Sequence, residues 1–188
     1  MSKVLIAIAE GSEEVEFIAP IDLLRRAGAT VTLAKVSISP ADAATPNVKL
    51  NNGVVVIADS LIEPIINNPW DMILIPGGFP GTTNLAESKI LVERLKKQKA
   101  EGKWIAAICA APALVLAPNG ILDGEKATSY PSLQTKLPDQ TMAKEHVVIS
   151  HKIITSQAPG TAMAFALATV QALFGEAKAE ELKKAMVA

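Results

Sequence analysis

Short, continuous apolar runs alternate along this chain with segments whose apolar residues recur at helical spacing. Lys3 to Ala9, Thr30 to Val36, Asp71 to Ile75 and Lys103 to Ile108 are runs of the kind found in parallel strands buried on both faces. Between them, Val15 to Ala27 and Lys89 to Glu101 carry helical patterns, and each closes on a glycine just past its end, Gly28 and Gly102. Val54 to Ala58 and the pair Val147–Ser150 and Lys152–Thr155 read as shorter strands. The tail divides at Gly175 into two helices, Thr161 to Phe174 and Glu176 to Met186. Residues 38–53 form the longest polar, loop-like stretch, and no repeat, low-complexity segment or linker breaks the alternation. This β-α-β order predicts an α/β fold: a doubly wound, mostly parallel sheet sandwiched by helices, in one domain over residues 1–188.

Composition narrows the function. With 49% hydrophobic residues the chain can build a substantial core and is not a disordered segment, but aromatics are only 4%, so Ala, Ile, Leu and Val must fill it. A balance of 18 Lys+Arg against 19 Asp+Glu argues against a dedicated nucleic-acid or anionic-membrane binder. Arg94, Lys96, Lys97, Lys99 and Lys103 fall on or beside a predicted helix and read as its solvated face. One Cys excludes an intramolecular disulfide framework and any multi-thiolate zinc site. The apolar start KVLIAIA is too short to span a bilayer, and Glu10, Glu13, Glu14 and Glu16 follow it without a cleavage-site pattern. A reducing, cytoplasmic compartment is the expectation.

In doubly wound sheets ligands bind beyond the carboxyl ends of the strands. Three segments belong there: EGSEEVE after the first run, PGGFPGTTN after the run ending at Ile75, and CAAPA after the run ending at Ile108. Cys109 closes the strand KWIAAI before a helix expected to begin near Pro112, with Ala107, Ala110 and Ala111 around it. A nucleophile on a sharp strand-to-helix turn needs small flanks, and A-I-C-A-A is a thiol version of that elbow. Amides at the helix start can lower a thiol pKa and bind an oxyanion. The alternative is a buried structural Cys. Glu13 and Glu14 read as helix-dipole residues on a wet surface. Glu16, between Val15 and Phe17, sits in the apolar part of its helix, where a carboxyl tends to a raised pKa and can act as acid or base; Pro20 four residues on invites a kink. PGGFPG is either an ordinary turn or a place where Gly77 and Gly78 let backbone amides approach an anion. His146 and His151 are five apart and would face opposite ways on one strand, so they make no local metal pair and read as surface or turn residues. Tyr130 is the remaining polar ring near a turn: it is a candidate substrate-site residue, although packing is the usual role of such a ring.

Taken together, EGSEEVE, IPGG, AAICAAP and TSQAPGTA closely resemble the ThiJ/PfpI superfamily, nearest to the branch of the parkinsonism-associated protein deglycase and its bacterial ThiJ-like relatives. The resemblance covers essentially the whole chain. It implies a flavodoxin-like sandwich and a homodimer with the first helix near its interface. By motif match Cys109 would be the nucleophile and Glu16 a protonated carboxyl beside its sulfur. Gly77, Gly78 and Ala110 would supply backbone to an anion pocket bordered by Ala158, Pro159 and Gly160. The implied activity is a cofactor-free, metal-free, glutathione-independent glyoxalase or protein deglycase. Its partners would be small dicarbonyls or glycated protein side chains, in oxidative and carbonyl stress defence. A redox-sensing or chaperone-like protein, acting through oxidation of Cys109 to sulfinate, is the alternative. Departures from the pattern matter. Tyr130 stands where the branch carries a His before Pro, and Ala110 stands where the protease-like branch carries His. No His is evident for an amidotransferase triad either, so peptidase and amidotransferase readings lose weight. Asn52 stands in place of an Arg, which points to weaker anion binding.

Overall fold

The long apolar runs become strands covered on both faces by helices in a computed structural model that describes residues 1–187. In chain order the elements are β1 (Lys3–Ile8), α1 (Glu14–Arg26), β2 (Thr30–Lys35), β3 (Asn47–Lys49), β4 (Val55–Ile57), β5 (Ser60–Leu61), β6 (Met72–Ile75), α2 (Gly81–Glu87), α3 (Lys89–Ala100), β7 (Trp104–Ile108), β8 (Val147–Ser150), β9 (Ile153–Ser156), α4 (Ala162–Phe174) and α5 (Glu176–Ala185). Seven of the strands form a sheet in the order β5-β2-β1-β6-β7-β9-β8, parallel except where β8 meets β9. Successive strand residues face opposite layers. Val4, Ile6 and Ile8 pack with Phe17, Leu23, Leu24, Phe165 and Val170 of α1 and α4. Leu5 and Ala7 pack with Leu85, Leu91 and Leu95 of α2 and α3. Each fully buried Leu, Ile, Val or Phe contributes about 1.5–3 kcal/mol, so two complete apolar layers hold the sheet.

Counting only β1, β2, β6, β7 and β9, the strand order is that of flavodoxin-like sheets. From β1 the chain moves outward to β2, then returns to place β6 on the other side of β1. The connections leaving β1 and β6 therefore part at their carboxyl ends and open a crevice there, with the end of β7 beside it.

Helix boundaries follow local chemistry. Glu13 caps α1 by accepting the Glu16 N–H at 3.0 Å, and α1 closes through Gly28 in the left-handed region. The helix runs through Pro20 without a break. Ser88 caps α3 in the same way. Arg94 is not on a solvated face: it is buried, and its Nε donates to the Ile66 carbonyl at 3.1 Å. Lys99 also turns inward, onto the carbonyls of Ile121 (2.6 Å) and Asp123 (3.0 Å).

Two departures from the sequence reading bear on the site. The polar stretch 38–53 contains β3, which pairs antiparallel with β4 outside the main sheet. Lys35, only 1% exposed, anchors this hairpin. Its Nζ donates to the carbonyls of Asp42 (2.7 Å), Thr45 (3.1 Å) and Asn47 (2.8 Å) and pairs with the Asp42 carboxylate at 2.6 Å. The helix expected near Pro112 is a single π-turn, Pro112–Leu116, running into a 3₁₀ turn, Ala117–Asn119.

Candidate active site

β7 ends at Ile108 and the chain turns at once. Cys109 has φ of 64°, in the left-handed region, which costs a non-glycine residue about 1–2 kcal/mol. Three hydrogen bonds offset that cost. The Cys109 N–H donates to the Ser156 carbonyl (2.9 Å), while its carbonyl accepts the Tyr130 N–H (2.8 Å) and the Ser129 hydroxyl (2.6 Å). Ala107, Ala110 and Ala111 pack tightly around the turn, and Cys109 itself is half-buried at the carboxyl edge of the sheet.

Glu16 approaches from α1 and is wholly buried. Its Oε2 accepts the Gly77 N–H at 2.7 Å, and its Oε1 has no hydrogen-bond partner. Gly77 is a glycine by necessity. A Cβ there would lie 2.6 Å from Cys109 Cβ, 2.9 Å from Glu16 Oε2 and 3.0 Å from Cys109 Sγ. The backbone of Gly77 thus passes against both thiol and carboxyl, closer than any side chain permits. Gly78 has φ of 88° and presses on the β1 loop, where a Cβ would meet the Gly11 carbonyl and the Glu13 nitrogen at 2.5 Å. The Glu13 N–H donates to the Gly77 carbonyl at 3.0 Å and stitches the two loops together.

This packing sets the electrostatics. Burial pushes Glu16 from 4.5 up to about 7, against the Gly77 N–H and its hydrogen bond with Cys109, with the Glu13 charge adding to the rise. The Cys109 thiol is pushed up to about 12, first by burial, then by the charge of Glu16 and its hydrogen bond to that carboxylate. The N–H groups of Ala110 and Gly78 pull the other way, as expected of amides at the elbow, but are outweighed by burial and the charge of Glu16 together. One proton therefore serves two acid groups. When it rests on Glu16, the carboxylate's repulsion of the thiolate vanishes and both amides still face the sulfur. The unpartnered Oε1 suits that state, because a protonated carboxyl has an O–H to donate.

Glu13 and Glu14 are buried rather than on a wet surface. Glu13 is the cap of α1, and burial raises its carboxyl above the usual range. Glu14 accepts the Asn52 N–H (2.8 Å) and Nδ2 (3.1 Å), so Asn52 holds the hairpin to α1. Tyr130 meets Cys109 through its backbone, while its ring is 43% exposed. Ala158, Pro159 and Gly160 lie on the turn after β9, whose last residue Ser156 binds the Cys109 N–H. His146 is exposed just before β8, and His151 occupies the β8–β9 turn at the opposite edge of the sheet, its Nδ1 2.9 Å from Glu125 Oε2. Sequence reasoning missed Ser129 and Ser156, because one hydroxyl and one carbonyl in polar turns carry no spacing signal. Among the described residues no cluster of three or more His, Cys, Asp or Glu is placed to hold a metal, and no helix is long and apolar enough to cross a membrane.

Comparison with known proteins gives one consistent answer. A family model described as the DJ-1/PfpI family matches residues 2–172. Protein DJ-1 homolog B of Arabidopsis thaliana is 43% identical over 183 residues, covering 97% of this chain and 40% of that protein, so the chain spans less than half the length of that relative. The glutathione-independent glyoxalase DJR-1.2 of Caenorhabditis elegans is 37% identical over 185 residues, covering 97% of this chain and 94% of that one. The solved structure of oxidized Toxoplasma gondii DJ-1 superposes with a TM-score of 0.93 at 41% identity, covering 100% of this chain and 98% of that chain.

Proposed function

Because the chain belongs to the DJ-1/PfpI family, we propose that it is a cysteine-dependent, glutathione-independent glyoxalase that converts methylglyoxal to lactate and glyoxal to glycolate. The observation that carries this reading is the thiol–carboxyl pair around Gly77. In this mechanism the Cys109 sulfur bonds the aldehyde carbon as the thiol proton passes through Glu16 to the carbonyl oxygen, giving a hemithioacetal and leaving Glu16 as a carboxylate. Glu16 then moves a proton from that carbon to its neighbour through an enediol. The aldehyde carbon rises to the acid level while the ketone carbon falls to the alcohol level, so the redox change is internal and needs no metal or organic cofactor. Water hydrolyses the resulting thioester and frees the thiol. Gly78 and Ala110 provide the amides that face the developing anion, the Gly77 N–H holds the Glu16 carboxyl beside it, and Tyr130, Ala158, Pro159 and Gly160 border the substrate. With no imidazole supplied by motif, proton transfer falls to Glu16 and water. Early methylglyoxal adducts of Cys, Lys or Arg side chains would enter the same chemistry, which is the deglycase form of the activity.

The test is lactate formation from methylglyoxal by wild type, Cys109→Ala and Glu16→Gln. Cys109→Ala is expected to abolish it; unchanged turnover in that variant defeats the reading.

The half-buried Cys109 beside a proton-bearing carboxyl also favours a second reading, in which Cys109 is oxidised to a sulfinate that Glu16 holds by a hydrogen bond and the protein serves as a stress sensor or chaperone-like partner. A similar protein has been solved in an oxidized form. A stable gain of two oxygens at Cys109 after mild peroxide supports it, and absence of selective oxidation removes it.

The assembly proposed for this cytoplasmic enzyme is a homodimer. It is supported by an apolar outer face that joins Val15 and Ile18 of α1 to Met163 of α4.

A further inference from the structure

Cys109 and Ala110 share a peptide group whose two ends do different work. Its carbonyl points away from the sulfur and accepts two hydrogen bonds, from the Ser129 hydroxyl at 2.6 Å and the Tyr130 N–H at 2.8 Å. Its N–H, on Ala110, faces the sulfur. The two ends are rigidly opposed by the planarity of the peptide bond, so whatever fixes the carbonyl also aims the N–H. Donors on a carbonyl also polarise the peptide, which makes its N–H a stronger donor at the far end.

Ser129 is wholly buried, and its carbonyl in turn accepts the Gln134 side chain at 3.2 Å. Its hydroxyl is therefore held in one place from the 3₁₀ turn Pro131–Lys136. The other end of the elbow is fixed independently, by Ser156 accepting the Cys109 N–H. Of these three bonds, only the one from Ser129 comes from a side chain and can be deleted by substitution.

We propose that Ser129 is a positioning residue for the thiol: by holding and polarising the Cys109 carbonyl, it aims the Ala110 N–H at the sulfur and favours the thiolate. This deepens the reading of Cys109 as the reactive group and rests on it, but concerns thiol ionisation rather than any one substrate. The titratable side chain that faces the sulfur is Glu16 of α1, and Glu13, the cap of that helix, acts on Glu16 from behind it. Neither touches Ser129 through a hydrogen bond, so a Ser129 effect reaches the thiol through the peptide.

Thiolate absorbance near 240 nm against pH, together with the iodoacetamide alkylation rate, tests this in wild type, Ser129→Ala, Ser129→Thr and Ser129→Val. Cys109→Ser supplies the blank, since the chain has one Cys. Losing one hydrogen bond is expected to raise the thiolate midpoint by about half to one pH unit and slow alkylation below it by roughly 3- to 10-fold. Thr, which keeps the hydroxyl, is expected to titrate as wild type, and Val, of the same shape without it, as Ala. A folded Ser129→Ala that titrates as wild type overturns the proposal. So does a Thr variant shifted as far as Val, because packing rather than the hydroxyl would then be responsible. If Ser129→Ala does not fold, the Thr and Val pair decides alone. Loss of methylglyoxal turnover as an activity of the wild type would sink the glyoxalase reading and leave this titration result standing.

Discussion

Glu16 is charged at a cost. Its carboxyl is raised from 4.5 to about 7 in the folded protein, so between those values the folded chain keeps a proton that the unfolded chain has lost. Stability therefore falls as pH rises through that window, by about 3 kcal/mol in total, and nothing is lost below pH 4.5 where both states are protonated. Glu16→Gln removes the titration while keeping an acceptor for the Gly77 N–H. Its melting temperature is expected to match wild type near pH 4.5 and to exceed it by roughly 6–12 °C at pH 8. Thermal melts at both ends of the window check this, and a gap independent of pH would mean that the carboxyl is not raised. Gly77 is the complementary case. Its Cβ would occupy the contact between sulfur and carboxyl, so Gly77→Ala is expected to cost about 1–3 kcal/mol of stability and roughly 100-fold in alkylation rate. Both residues were legible as candidates, Glu16 from its apolar neighbours and Gly77 from PGG. The sequence and its family resemblance anticipated a proton on Glu16; what they concealed was how strongly the site opposes the thiolate. The sequence suggested an acidified thiol, whereas burial and, while it is charged, the nearby carboxylate oppose thiolate formation.

At the scale of elements, legibility tracked burial. Runs covered on both faces, such as KVLIAI and WIAAI, announce themselves because every residue must be apolar. β3 does not, since only Val48 of its three residues is buried and its partner lies outside the main sheet. Its position is set instead from a distance by Lys35, whose ammonium holds three carbonyls and Asp42. The hairpin end then reaches the site: the Gly11 N–H donates to the Lys49 carbonyl and the Asn51 N–H to that of Ser12, both at 2.9 Å. Lys35→Met strips the anchor and leaves Asp42 unpaired, with an expected loss of about 2–4 kcal/mol. Hydrogen exchange should quicken across residues 42–57 while the amides of β1 and β7 stay protected. Equal loosening of the central strands would show that Lys35 supports the core and not the hairpin. The turn after Cys109 escaped prediction for another reason. Pro112 marks a helix start equally well for a π-turn, and the difference lies in how Ala110 to Leu116 settle beneath a strained residue.

At the scale of the molecule, one helix joins the chemistry to the surface. α1 buries Glu16 toward Cys109 and presents Val15 and Ile18 outward, each nearly half exposed. The β3–β4 hairpin is tied to the same helix by Asn52 and Glu14 and carries an exposed apolar residue of its own, Ile57. The α/β class was readable because strand and helix periods differ, but a face built from α1 and α4 is discontinuous in sequence and emerges only after folding. A charge at its centre should separate assembly from folding. Wild type is expected to sediment as two chains of 19.7 kDa, and Ile18→Glu as one, with its circular dichroism spectrum unchanged. Because the substituted residue is two positions from Glu16 on the same helix, the thiol titration should be followed in the same variant. A monomer with an unaltered Cys109 titration would mean that α1 holds Glu16 by its own cap and core contacts. A shifted titration would mean that the second copy helps to set the site. A wild-type protein that sediments as a single chain at micromolar concentration would end the homodimer proposal and leave the apolar face to some other partner.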